Sequence, residues 1–192
     1  MRRRYILTII LLLSSLLTAW SQNAVTNVYT KVLDRTVYSC VYNPDSLHIL
    51  ISKPLRTLFV YEQRCTGTAI VAAYPVCLGA NTGNKKRRGD MKTPESVNGK
   101  PFFISEIVNS STWRHDFDDG RGVMPAYGRW FMRLRGNYPG TSIGIHGSTG
   151  NHYSVPGRGS EGCIRMRDED IIHLKENYAF VGMSVYIEKD EQ

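Results

Sequence analysis

Two residues capable of covalent acyl chemistry stand in one short stretch. Residues 143–166 read IGIHGSTGNHYSVPGRGSEGCIRM, with His146 17 residues before Cys163. A cysteine attacks as its thiolate, and a thiol at its ordinary pKa of about 8.5 is only a few per cent ionised at neutral pH. An imidazole within reach raises that fraction or takes the proton during attack, so the chemistry implied is Cys163 as nucleophile with His146 as base. Gly162 permits a tight turn just before the sulfur, which is expected to aim the backbone N–H groups of Gly162 and Cys163 at a tetrahedral oxyanion. Arg165 is a candidate either to bind a substrate carboxylate or to brace the loop through a bidentate pair. His152, in the intervening loop, is the reserve candidate for the base.

A lone Cys with a His upstream also arises by chance, so the elements that would hold the pair matter. Alternating or β-branched runs predict strands over residues 47–52, 57–62, 69–78, 101–108, 130–134, 143–146 and 183–188, separated by turn residues. This pattern predicts a mainly β fold of two packed sheets, a β-sandwich. One segment departs from it. Asp168, Glu169 and Asp170 precede Ile171, Leu174 and Tyr178, the spacing of one helical face with acids at the positive end of its dipole, so a short helix is expected after the nucleophile loop.

The stretch from Gly79 to Gly99 is rich in glycine and holds Lys85-Lys86-Arg87-Arg88, which reads as a long, polar, cationic loop, either solvated or meeting anions. Trp113, Tyr127, Trp130 and Phe131 flank residues 120–128; aromatics in a β domain are usually core, and these are assigned no site role.

The N-terminus opens Met1-Arg2-Arg3-Arg4 and continues as an apolar run from Ile6 to Leu17. Such a run spans about 18 Å as a helix, short of a hydrocarbon core roughly 30 Å thick. Ala19 and Ser21 are small residues where a signal peptidase reads, so residues 1–21 are expected to be a signal peptide cleaved before Gln22, with no membrane anchor remaining. Residues 22–45 form an N-terminal segment of no assigned role, and residues 46–189 the catalytic domain. Cleavage would remove three of the positive charges in a chain of formal charge +7, leaving a mildly basic protein, which by itself selects no partner. Cys40, Cys65, Cys77 and Cys163 are the cysteines of what is expected to be an exported protein, and a Cys65–Cys77 bridge between neighbouring predicted strands would leave Cys40 unpaired. No CxxC, HExxH or similar spacing suggests a metal, and no cofactor is called for.

The stretch around Cys163 resembles the signature of the L,D-transpeptidases with a YkuD-type catalytic domain, in which a strand-borne HG is followed after a loop by S/T-x-G-C, an aliphatic residue and R. Those positions are His146-Gly147 and Ser160-Glu161-Gly162-Cys163-Ile164-Arg165. Gly89-Asp90-Met91-Lys92-Thr93-Pro94-Glu95 is similar to the family's G-x-x-x-T-P-E segment, and the similarity runs from about Leu47 to Glu188. The resemblance implies a periplasmic or wall-associated acyltransferase acting on peptidoglycan stem peptides, with no nucleic acid partner. Cys163 would attack after the stem's third, diamino acid residue and release the terminal D-alanine. An amine of a neighbouring stem would then resolve the thioester. Gly147 would orient His146 through its backbone carbonyl, and Arg165 and Ser160 would border the substrate, Ser160 also shaping the loop by hydrogen bonding.

Two positions depart from the family: Glu161 stands where many members carry His, and Ser96 replaces the Gly after T-P-E. A carboxylate two residues from the thiol opposes its ionisation if it points inward. The same Cys/His site would also serve an L,D-carboxypeptidase or a hydrolase of wall amides, and the Glu161 change admits a catalytically inactive wall-binding protein.

Overall fold

The computed structural model describes residues 46–136 and 143–190. The expected signal peptide (1–21), the segment 22–45 and Cys40 lie outside the described residues. In chain order the elements are β1 (Leu47–Ser52), β2 (Thr57–Arg64), β3 (Gly67–Pro75), β4 (Cys77–Gly79), β5 (Phe102–Asn109), β6 (Arg114–His115), β7 (Met124–Pro125), β8 (Trp130–Arg135), β9 (Ile143–His146), β10 (Gly157–Ser160), β11 (Ile164–Arg165), helix α1 (Asp168–Asn177) and β12 (Ser184–Ile187). The fold is mainly β with one α-helix after the nucleophile loop, as the residue pattern predicts.

Ten strands share one sheet in the order β10-β4-β11-β9-β8-β5-β12-β1-β2-β3, and β6 and β7 pair in a second, small sheet. The run 69–78, expected as one strand, divides at Val76 into β3 and β4, which occupy distant places in that order. Laid flat, eight strand spacings would separate them by roughly 38 Å, yet only Val76 stands between them in the chain. The sheet therefore rolls over on itself. Val76 fastens the closure, its N–H donating to Arg56 O at 2.8 Å and its carbonyl accepting from Gly157 N–H at 3.2 Å.

Helix α1 lies inside the roll. It packs on β8 and β9, while Tyr74 Oη at the end of β3 meets His173 Nδ1 at 2.7 Å and Tyr178 Oη donates to Val71 O at 3.3 Å. Ile171 and Leu174 are fully buried, as their spacing predicts. They join one hydrophobic cluster with Ile49, Val60, Leu78, Ile104, Met132, Ile145, Ile164 and Val185. Burial of each such side chain contributes about 1.5–3 kcal/mol.

Cys65 sits exposed beside the β2–β3 turn and Cys77 is buried in β4, and no disulfide joins them. The T-P-E segment is structural. Thr93 Oγ1 accepts from Gly79 N–H at 2.8 Å, and buried Glu95 takes the Nζ of fully buried Lys53 at 2.7 Å. Gly79 is required here by space, because a Cβ would lie 2.4 Å from Met91 O. Nor is the basic loop simply solvated. Lys85 is buried and bonds Asp90 Oδ1 at 2.8 Å, while the Asp90 carboxylate also accepts the N–H groups of Lys86, Arg87 and Lys92. Burial pushes the Asp90 carboxyl up, but Lys85 and those three N–H groups outweigh it and hold the group well below the usual carboxylate range.

Candidate active site

Strand alternation places the candidate residues. In β9, Ile143 and Ile145 enter the core, so Gly144 and His146 take the opposite face; in β11, Ile164 enters the core and Arg165 does not. In β8, Met132 and Leu134 are core and Phe131 alternates with them. Register sets Phe131 against His146 and Arg165 against His146, so the three form one row across adjacent strands. Gly144 leaves room for Phe131, since a Cβ there would lie 2.3 Å from the ring. The Phe131 ring stacks on the imidazole (centroids 5.5 Å apart, planes 13° apart), and Tyr127 covers it from another side at 4.9 Å.

His146 is 3% exposed, and its Nδ1 lies 2.6 Å from Gly147 O. A carbonyl only accepts, so Nδ1 bears the proton and Nε2 is the basic nitrogen. The Gly147 carbonyl thus holds the Nδ1 side of the ring. It must be glycine for lack of space, as a Cβ would meet Asp168 Oδ1 at 2.4 Å and Gly128 Cα at 2.8 Å. Burial lowers the imidazole pKa to about 3; the Gly147 hydrogen bond opposes this, and the charges of Arg165 and His115 add to it. Burial likewise pushes the half-buried Cys163 thiol up, against a backbone hydrogen bond with Gly144 and the charges of Arg165 and Lys85. Both shifts favour neutral thiol and neutral imidazole over the pre-formed thiolate that proximity alone suggests.

The nucleophile loop differs from expectation at the Gly162 N–H. Gly162 N–H, expected to face an oxyanion, donates to Ser160 Oγ at 3.0 Å, and Ser160 Oγ donates in turn to Cys163 O at 2.5 Å. Ser160, 1% exposed, is therefore committed to bracing the loop, with no hydroxyl hydrogen left for a substrate. Gly162 is needed for both conformation and space, with φ +126° and a hypothetical Cβ 2.6 Å from Lys92 O.

Arg165 is 4% exposed, makes no ion pair among the described residues, and lies 4.9 Å from the Phe117 centroid. It faces a small cavity of about 40 Å³ together with His146, Cys163 and Ser160. The bracing pair that the sequence left open as one alternative for Arg165 is not seen among the described residues. A larger cleft of about 800 Å³ shares Cys163, Tyr127 and Glu161 with the small cavity, and is lined by Lys85, Arg88, Arg114 and Arg133 as well as Asp118 and Glu161, with Lys85 paired to Asp90 and Arg133 to Glu106.

The β6–β7 hairpin borders both spaces. Its His115 Nε2 meets Glu161 Oε1 at 3.0 Å, so Glu161 engages the hairpin and still nudges the thiol pKa upward. His152 is exposed in a short 3-10 turn (His152–Ser154) and lines neither of the two cavities that Cys163 lines. The site residues set aside in the sequence are Tyr127, Phe131 and Trp113, all lining the large cleft. Phe131 alone carried a local signal, its alternation with core residues in a strand beside that of His146.

With this geometry in view, comparison with known proteins is informative. Residues 46–187 match the YkuD family, the L,D-transpeptidase catalytic domain, and the chain belongs to that family. Among solved structures it is similar to Bd1075 from Bdellovibrio bacteriovorus (23% identity, TM-score 0.52, covering 76% of this chain and 48% of that one). It is also similar to the helical cell shape determining protein Pgp2 from Campylobacter jejuni (20%, 0.51, 77% and 49%). An L,D-transpeptidase from Mycobacterium smegmatis matches as well (13%, 0.50, 74% and 58%). The chain spans about half the length of the first two, and at these identities the likeness concerns the fold. A comparison with curated protein sequences returned no match. Among the described residues no helix is long and apolar enough to cross a membrane.

Proposed function

We propose that this chain is an exported peptidoglycan L,D-transpeptidase, with residues 1–21 as its signal peptide and a catalytic domain from residue 46 to 189. The observation that carries the reading is the buried Arg165, without an ion pair among the described residues, facing the same small cavity as Cys163 and His146. A tetrapeptide stem ends in a D-alanine carboxylate, and Arg165 offers that group a desolvated cation. The scissile carbonyl then lies at Cys163. The sulfur attacks the carbonyl carbon as His146 Nε2 takes the thiol proton, and the oxyanion is met by the backbone N–H of Cys163. The imidazolium returns its proton to the leaving D-alanine nitrogen, and a thioester remains. An acceptor amine arriving through the larger cleft attacks the thioester and gives its proton to His146, and as the new amide forms the expelled Cys163 sulfur takes that proton back.

The open cleft favours amine delivery, while the L,D-carboxypeptidase reading gives the same thioester to water. The test incubates the mature protein and Cys163→Ala with tetrapeptide muropeptides, with and without an amine acceptor, and reads the products by mass spectrometry. Crosslinked dimers absent with the variant support the transpeptidase. Tripeptides alone move the reading to the carboxypeptidase, and no Cys163-dependent product overturns both.

A further inference from the structure

The reaction just described uses no carboxylate behind His146, yet one is connected to it. Asp168 begins α1 and its Oδ1 accepts the Ser148 N–H at 2.8 Å, while its Oδ2 accepts from Thr149 Oγ1. The Ser148 N–H and the Gly147 carbonyl belong to one peptide unit. That carbonyl takes the His146 Nδ1–H at 2.6 Å. The atoms thus run without a break from the Asp168 carboxylate, through the Ser148 N–H and the Gly147 C=O, to Nδ1–H of the imidazole. A peptide group that donates to an anion becomes a stronger acceptor at its own oxygen, because resonance moves charge from nitrogen to oxygen. The packing is specific to this line. A Cβ at Gly147 or Gly128 would lie 2.4 or 2.6 Å from Asp168 Oδ1, so both glycines open the space the carboxylate occupies.

We propose that Asp168 is a positioning residue that supports the imidazolium of His146 through the 147–148 peptide bond, as a carboxylate in direct contact does in a side-chain triad. The need for it is visible in the charges around the ring. Arg165 and His115 both oppose protonation of His146, and burial opposes it further. Asp168 supplies the opposite charge from behind. Its other apparent role, an acid in the first turn of α1, does not account for hydrogen bonds directed away from the helix to residues 148 and 149.

A unit charge roughly 7 Å from the ring shifts its protonation by roughly 3- to 50-fold as the effective dielectric falls from 80 to 20. The inference rests on His146 being the base of the proposed reaction, so one readout needs no substrate. Asp168→Asn keeps an acceptor for the Ser148 N–H and removes the charge; Thr149→Val removes the brace and keeps the charge. In the full mature protein Asp168→Asn is expected to lower kcat about tenfold with KM unchanged, and to move the NMR resonance of His146 Nδ1–H upfield. Thr149→Val is expected to leave both near wild type. The proposal is overturned if Asp168→Asn leaves the resonance and kcat unchanged, or if Thr149→Val matches its loss. Should Asp168→Asn fail to fold, the wild-type protein decides. An Nδ1–H resonance no further downfield than that of an imidazole bonded to an ordinary amide overturns the proposal unaided. If the wild type lacks Cys163-dependent turnover, the transpeptidase reading fails on its own, and the resonance test of Asp168 still stands.

Discussion

The buried neutral imidazole makes folding stability depend on acidity in a way that can be isolated. His146 has a pKa of about 3 in the folded protein against an ordinary 6.5. Between those values the unfolded chain holds a proton that the folded chain refuses, so stability falls as pH is lowered from 6.5 and levels off below 3. Each pH unit in that window costs about 1.4 kcal/mol, which gives roughly 3 kcal/mol between pH 6.5 and pH 4. Carboxylates such as Asp90 also weaken the fold in acid, so the comparison must be with a variant that differs only at this ring. His146→Asn retains an N–H able to donate to Gly147 O and does not titrate. Urea unfolding of both proteins from pH 7 to pH 4 should show the variant gaining about 3 kcal/mol on the wild type. Parallel stability curves would mean that His146 titrates normally in the folded state, and the neutral resting pair would have to be abandoned.

Three further substitutions follow from single contacts. Glu95→Ala leaves the fully buried Lys53 ammonium with only the 3.3 Å contact to Asp190 as an ion pair, and should cost about 3 kcal/mol in urea unfolding. Gly147→Ala forces a Cβ against Asp168 and Gly128 and displaces the carbonyl that orients His146; we expect a loss of about 2 kcal/mol by thermal unfolding, with Cys163-dependent turnover down about 100-fold. Arg165→Gln should lower kcat/KM for stems with a free terminal carboxylate about 30-fold and barely affect stems amidated at that end, which competition kinetics would separate.

How much of this was legible in the residues depends on the range of the interactions involved. The alternation of Ile143-Gly144-Ile145-His146 was enough to turn His146 away from the core, because strand period is local. The helix was equally local, with Ile171 and Leu174 as its buried stripe. The short strands β6, β7, β10 and β11 left no trace, since two to four residues rich in glycine, proline or charge carry no period. The division at Val76 was invisible for another reason. A mostly apolar run reads as one strand despite Pro75, and only closure of the rolled sheet shows that its two ends serve different neighbours. Likewise, His115 reaches Glu161 across 46 residues through a hairpin, a contact no spacing rule supplies. The commitment of Gly162 N–H to Ser160 was hidden at shorter range, because which acceptor a loop N–H finds depends on side-chain rotamers and not on composition.

Within the proposed reaction the substrate itself raises the basicity of the site. Arg165 lowers the pKa of both His146 and Cys163 through its charge. A stem carboxylate bound to Arg165 neutralises that charge inside a cavity of about 40 Å³ that holds little water to screen it. Both pKa values then rise: the imidazole becomes a stronger base and the sulfur, once deprotonated, a stronger nucleophile, at the moment a donor is in place. The expected sign can be measured on Cys163→Ala, which binds without turning over. Titrating the His146 ring by NMR with and without a D-alanyl-terminated peptide should show the pKa raised by the ligand, and the same peptide amidated at its end should leave it in place. A ligand that leaves the ring unchanged, or lowers it, would show that Arg165 does not couple donor binding to the base.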